Sequence, residues 1–195
     1  MDLLPMVFAS GWASGVNCYL VVLVLGLADR LHDIEQVPDV LARPEVLAIA
    51  GLLFVFEFVA DKIPYIDSTW DAISTAIRPT VGAVIGVLLA GDADTLQQAL
   101  AAVLGGGTAL ASHSVKAGSR LAINTSPEPV TNSVASVVED VTVLGVVTLT
   151  VSHPWVALTV CVVLLATGFL SLYLLARRVR RGWRRWRGRS TTQST

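Results

Sequence analysis

Between Leu3 and Ala28 the chain runs 26 residues without a charge, and between Pro154 and Ala176 another 23. A helix needs roughly 20 apolar residues to cross the ~30 Å hydrocarbon core of a bilayer, so both runs are long enough to span it. A backbone in lipid must satisfy its own N–H and C=O groups, which a helix does within one segment. Such runs therefore leave little choice of fold. Charged residues make up only 15% of the 195, against about a quarter in soluble domains. The expected fold is all-α: a polytopic transmembrane helical bundle of about six apolar helical segments.

The first segment is Pro5 to Ala28, followed by the polar linker DRLHDIEQVPDVLARP. The second covers Glu45 to about Lys62 and stops at Pro64. Ser68 to Ile77 reads as a short interfacial helix with Trp70 at headgroup depth, and Arg78-Pro79 opens a third segment ending near Gly91. Asp94 to Leu104 reads as another helix, broken by the glycines of LGGGTAL before a stretch from Thr108 to Ile123. NTSPEPVTN makes an elbow, Asn132 to Ser152 the next helix, and His153-Pro154 a tight turn into the last span. Short, glycine-interrupted apolar pieces are the sequence form of broken or re-entrant helices, which occur at membrane depth where protein or a wet cavity surrounds them.

A faint internal repeat accompanies this pattern. FASGWASGVN from Phe8 and ALASHSVKAGSR from Ala109 both begin an apolar helix with small residues, and a helix carrying two acids follows each. The expectation is a transmembrane domain over 1–176 made of inverted pseudo-repeats, 5–91 and 94–176, with a basic tail at 177–195.

Net charge is only −1, yet eight of the fourteen basic residues lie between Arg177 and Arg189. A basic end directly after a span is the positive-inside signature, so the expected location is a bacterial inner membrane, multi-pass, with a cytoplasmic C-terminus. Each arginine near an anionic leaflet adds about 1 kcal/mol of attraction. Anionic lipids, and the bilayer itself, are the partners expected of the tail; nucleic acid is not. Met1 to Met6 offers no basic residue ahead of the apolar run, unlike a cleaved signal peptide. Cys18 and Cys161 both sit in apolar runs and read as packed thiols. No HExxH, GxSxG, Walker or GxGxxG pattern occurs, so no cofactor, metal site or catalytic residue is expected.

Helical spacing turns the scattered polar residues into faces. His113, Lys116, Arg120 and Asn124 are separated by three, four and four, one cationic stripe. Ser133, Ser136 and Asp140 line up beside Glu139, and Ser10, Ser14 and Asn17 beside Gly11 and Gly15. Gly11 with Gly15, and Gly82 with Gly86, are small-xxx-small pairs that permit close helix packing; a homodimer would suit them. Trp12, Trp70 and Trp155 read as interfacial anchors. Glu57 and Asp61 are i, i+4 neighbours whose like charges repel unless a cation sits between them. With the tail inside, Asn132 is cytoplasmic and Glu139 lies roughly 10 Å below the surface. An isolated charge at depth costs at least about 2.5–3.5 kcal/mol. Glu57, Asp61, Glu139 and Asp140 therefore need partners, and Lys62, Arg78, Lys116 and Arg120 match them in number, predicting one balanced intramembrane network.

At these residues the chain resembles a known family. FEFVADKIPYIDSTWDAISTAIRPTVGA and SHSVKAGSRLAINTSPEPVTNSVASVVEDV are similar to the signature segments of a family of small bacterial integral-membrane proteins, catalogued only as a domain of unknown function (DUF4126-like). The resemblance covers most of Gly11 to Val151. It implies that Glu57, Asp61, Lys62, Pro64, Asp67, Trp70, Asp71, Arg78, Pro79, His113, Lys116, Arg120, Asn124, Ser126 to Pro129, Asn132, Glu139 and Asp140 are motif positions, without supplying an activity.

The residues point first to a transporter or channel-like protein with an intramembrane site for an anion, a proton or a lipid phosphate. Arg78, Lys116 and Arg120 would bind and the four acids would couple, with Lys62, His113, Asn124 and Asn132 beside them. The alternative is a membrane scaffold whose charges are structural ion pairs. Less favoured is a lipid-headgroup enzyme with Glu57 or His113 as general base, since no nucleophile–base pair is evident.

Overall fold

Six helices account for almost all of the chain: α1 (Leu3–His32), α2 (Pro44–Ala60), α3 (Ile66–Ala90), α4 (Thr95–Ile123), α5 (Pro129–Ser152) and α6 (Pro154–Ser190). A 3₁₀ turn, Asp39–Ala42, lies between α1 and α2. The structure, a computed structural model, describes residues 3–63, 66–124 and 129–190, with Pro129 and residues 182–190 described by backbone alone. By length and apolarity α1, α3, α5 and α6 can each cross a membrane. The two prolines of the predicted elbow, Pro127 and Pro129, fall outside the described residues or at their margin.

The central helix is α1, which packs on all five others. It is not straight. Asn17 has φ −153° and ψ 94°, extended backbone in the middle of a helical run. A straight 30-residue helix would be about 45 Å long. Yet Glu35 and Gln36, just past its end, line one cavity with Leu3 and Met6 at its start. The chain therefore doubles back at Asn17, and α1 is two antiparallel halves, 3–16 and 18–32. Trp12 is no interfacial anchor: it is only 6% exposed, buried near the break.

Two expected breaks are absent, each for a tertiary reason. The predicted interfacial helix at Ser68 to Ile77 and the segment after Pro79 are one helix, α3, with Pro79 inside it. Asp67, Asp71, Ser74 and Arg78 are all buried. Their spacing of four, three and four makes a polar face turned into protein, not toward headgroups, while Trp70 packs on Phe56 with ring centroids 4.9 Å apart. Likewise α4 runs unbroken through Gly105-Gly106-Gly107, whereas its proposed counterpart α1 is the helix that breaks. A Cβ at Gly105 would collide with the Gly82 carbonyl. The glycines let α3 and α4 approach backbone to backbone, and that packing outweighs their low helix propensity.

The four packing glycines serve contacts within the chain. Gly11 and Gly15 face Gly105, Thr108, Ala109 and Ser112 of α4, while Gly82 and Gly86 face Ala101, Gly105 and Ala109. Their stripe thus offers no free face to a second copy. These pairs also set directions: the first half of α1 runs parallel to α4, and α3 antiparallel. Gly168 against Val115 and Leu172 against Gly118 place α6 alongside α4, also parallel. The start of α1, the end of α3 and the start of α4 meet at one end of the molecule around a cavity of about 570 Å³. The basic continuation of α6 leaves from the other end, the side on which the buried charges lie.

Candidate functional site

Helix α4 supplies the cations at the centre of the bundle: Lys116 and Arg120 are buried on one face together with His113. The end of α2 brings Glu57 and Asp61, α3 brings Asp67, Asp71 and Arg78, and α5 brings Asn132, Ser136, Glu139 and Asp140. Arg78 and Glu57 are both wholly buried and join through Nη2 and Oε1 at 2.5 Å. The other arm of Arg78 lies 3.2 Å from Asp71 Oδ1. Lys116 Nζ reaches Asp61 at 2.8 Å, Glu139 at 3.4 Å and Glu57 at 3.5 Å. Arg120 grips Glu139 with two parallel bonds of 3.1 and 2.7 Å, the bidentate geometry that makes guanidinium–carboxylate pairs strong. It also lies 3.5 Å from Asp61 and 3.6 Å from Asp67.

His113 is engaged on both ring nitrogens. Its Nδ1 is 2.9 Å from Arg78 Nη1. A guanidinium has no acceptor, so Nδ1 accepts and Nε2 carries the hydrogen, which it donates to the Asp71 carbonyl at 3.1 Å. Asn124 donates to Asp67 and Ser68, each at 2.8 Å, and accepts from Asn132 at 3.1 Å. These amides close the network on the side of the α4–α5 connection. Lys62 stands apart. It donates to the Phe58 carbonyl at 2.9 Å and Ser136 at 3.4 Å, and lies over the Phe58 ring.

The break in α1 is built into this network. A helix ending at residue 16 leaves its last carbonyls without helical donors, at the negative end of its dipole. Cations meet them: Arg78 donates to the Gly15 carbonyl at 3.3 Å and Lys116 to the Val16 carbonyl at 3.1 Å. One turn earlier, Ser112 donates to the Trp12 carbonyl at 2.7 Å. The second half starts at Asn17, whose Oδ1 accepts from the Leu20 N–H at 3.0 Å in the manner of a cap. Its Nδ2 donates to Asp140 Oδ1 at 2.9 Å. A carboxylate thus stands at the positive end of this half-helix, with a polar side chain bonding both.

The predicted balance of charge does not hold. Six carboxylates, Glu57, Asp61, Asp67, Asp71, Glu139 and Asp140, surround three central cations, Arg78, Lys116 and Arg120, with Lys62 a fourth at the rim. The difference arises because the acidic face of α3 turns inward. Asp67 and Asp71 have the helical spacing of a buried face in sequence, but spacing alone does not say which way a face points. One oxygen each of Glu57, Asp61, Asp67 and Asp140, and both of Asp71, are buried without a hydrogen-bond donor. Among the described residues no three His, Cys, Asp or Glu side chains converge as a metal-holding group.

Of the residues singled out in sequence, Glu57, Asp61, Arg78, His113, Lys116, Arg120, Asn124, Asn132 and Glu139 form one continuous cluster. Asp140 joins through Asn17, and Lys62 lies at the edge. Asn17 was legible as part of a polar line with Ser10 and Ser14 but not as the break. No curated protein and no solved structure matched the chain. The family model described as a domain of unknown function (DUF4126) matches residues 4–173, a stretch that takes in the broken helix, the glycine interfaces and every member of the buried network. On that match the chain belongs to the DUF4126 family, a domain of unknown function, and its four long apolar helices fit a membrane protein.

Proposed function

We propose that the network is the proton-binding site of a polytopic membrane transporter, and that α1 is a re-entrant hairpin whose tip, Asn17, meets the site. The observation that carries this is the surplus of carboxylate in the network, where Glu57, Asp61, Asp67 and Asp71 are buried and Glu139 and Asp140 are partly buried. Six acids against four cations leave two negative charges uncompensated in a medium where an unpaired ion costs several kcal/mol. Protonation removes that cost. An anion or lipid phosphate, the other cargoes the cationic stripe suggested, would add to the surplus. Asp140 is the residue we assign as the exchangeable acid: no cation lies within ion-pair distance of it among the described residues, and it bonds the helix break directly. Broken helices with charges at their half-ends are a recurring device for binding ions near the bilayer midplane. The basic tail orients the protein with its C-terminus in the cytoplasm, in a bacterial inner membrane, and holds anionic lipid there.

The test is proton flux in proteoliposomes carrying an internal pH-sensitive dye, under an imposed potential and with added solutes. The wild type is expected to acidify or alkalinise the lumen faster than protein-free vesicles, and Asp140→Asn to abolish the difference while keeping its thermal unfolding midpoint within a few degrees. Wild-type vesicles indistinguishable from empty ones under every condition would leave the charges as structural ion pairs.

A further inference from the structure

A second feature bears on what such a protein would exchange for protons. A half-open cavity of about 200 Å³ lies between α1, α4, α5 and α6, with Trp12, Val16, Leu164 and the exposed Val138 among its walls and Lys116 and Glu139 at its polar side. Leu164 is ten residues from the start of the α6 span and twelve from Ala176, so the cavity sits near the middle of the bilayer, some 15 Å from either face. The two charged groups facing it are not equivalent. Lys116 is 3% exposed, with its donors directed to the Val16 carbonyl, Asp61, Glu57 and Glu139. Glu139 is 21% exposed, against 1% for its partner Arg120. Its oxygens accept from Arg120 and Lys116. A carboxylate has about four acceptor sites, so capacity remains on the side toward the cavity.

Resting on the proton-site reading above, we infer that this cavity binds a small organic cation: an ammonium group against Glu139 with a compact apolar body among Trp12, Val138 and Leu164. The size fits, since an apolar cavity of about 150 Å³ holds benzene, and the extra room accommodates an aminoalkyl arm. The charge fits, because a site surrounded by surplus carboxylate favours a cation. An aromatic wall near the carboxylate suits ammonium recognition as well. The bound cation replaces a proton in neutralising the network. Binding therefore releases a proton, and the pair constitutes an amine/proton exchange with no net change in buried charge.

The experiment is isothermal titration of the full-length protein in detergent with phenethylammonium, repeated in buffers of different ionisation enthalpy to count protons released, with benzoate as the anionic control. Expected are saturable binding of the amine, proton release on binding, and no binding of benzoate. Glu139→Gln should weaken binding more than about tenfold, the loss of one charged hydrogen bond. Leu164→Trp, which fills the cavity and leaves every charge in place, should do the same. Thermal unfolding of each variant establishes that it is folded, and if Glu139→Gln is not, Leu164→Trp with Val138→Phe carries the test. Absence of amine binding, binding that folded cavity-filled variants retain, or preference for benzoate overturns the inference. Absence of binding in a protein whose vesicles do move protons overturns it while leaving the proton site standing. Binding and proton release in a protein that moves no protons supports the cavity and removes the transport reading.

Discussion

Arg78 is wholly buried, and its surroundings determine what its loss would do. Its guanidinium joins Glu57, Asp71, the Gly15 carbonyl and His113, all in the interior. Removing one partner of a buried pair leaves an uncompensated charge, at about 3–5 kcal/mol, whereas removing both is far milder. We expect Arg78→Met to lower the thermal unfolding midpoint in detergent sharply and Arg78→Met with Glu57→Gln to recover much of the loss, a coupling that a double-mutant cycle measures. Additive losses in that cycle would mean that the two side chains do not interact. Asn17 gives a second prediction at this scale. Asn17→Ala removes a cap worth about 1 kcal/mol and a bond to a partly buried carboxylate, so it should destabilise by about 1–3 kcal/mol. Asn17→Ser, which keeps the cap to Leu20 but is too short to hold Asp140 as well, should fall between. Sequence reveals which residues at this scale are unusual, because a charge in an apolar chain is conspicuous. It does not reveal partnership: nothing in the string of residues says that Lys62 stays at the rim while Asp71 turns in.

At the scale of elements, glycine separates two roles that look alike in sequence. Gly15 and Gly105 sit where another helix's backbone already occupies the space of a Cβ, while Gly107 and Gly145 have nothing within 4 Å. Gly15→Ala and Gly105→Ala should therefore destabilise by about 1–3 kcal/mol through overpacking. Gly107→Ala and Gly145→Ala should be neutral or stabilise by up to about 1 kcal/mol through helix propensity. Equal effects at all four sites, read by unfolding in detergent, would show that α4 is not in such close contact with α1 and α3. The same contrast explains which elements were legible. Apolar length marked the end of α5 and the start of α6 to the residue, because a lipid-facing helix needs nothing else, but not that α6 continues as helix through the basic stretch to Ser190. It misplaced the breaks, since both kinds of interruption depend on neighbours. The glycine run at 105–107 does not break α4 because α3 packs onto Gly105 and Gly106. Asn17, an unremarkable residue in an uncharged run, breaks α1 because cations from α3 and α4 meet the freed carbonyls and Asp140 takes its side-chain amide.

For the molecule as a whole, the doubling back of α1 decides the topology. Four helices pass the length and apolarity test for spanning, and a count of spans would take α1 as one crossing. On the re-entrant reading proposed above, both ends of α1 lie at the same face, α1 crosses nothing, and the helices after it are oriented accordingly. Labelling with a membrane-impermeant maleimide distinguishes the two arrangements. Cys18 and Cys161 are buried, so the native thiols contribute little background. Leu4 is exposed near the start of α1, Glu35 lies just past its end, Asp92 lies in the α3–α4 turn, and Arg181 is exposed on the basic part of α6. Single cysteines at Leu4, Glu35 and Asp92 should all label from one side in sealed, oriented vesicles, and a cysteine at Arg181 from the other, which the positive-inside rule makes the cytoplasmic side. If α1 crossed in a single pass, Leu4→Cys and Glu35→Cys would label from opposite sides. The Asn17 carbonyl break and its cations would then lie within a continuous span, and no re-entrant tip would reach the acids. Labelling of both from the same side instead places Asn17 at the inner end of a hairpin, where the two half-helix ends, the surplus carboxylates and the cavity at Glu139 meet at one depth in the bilayer.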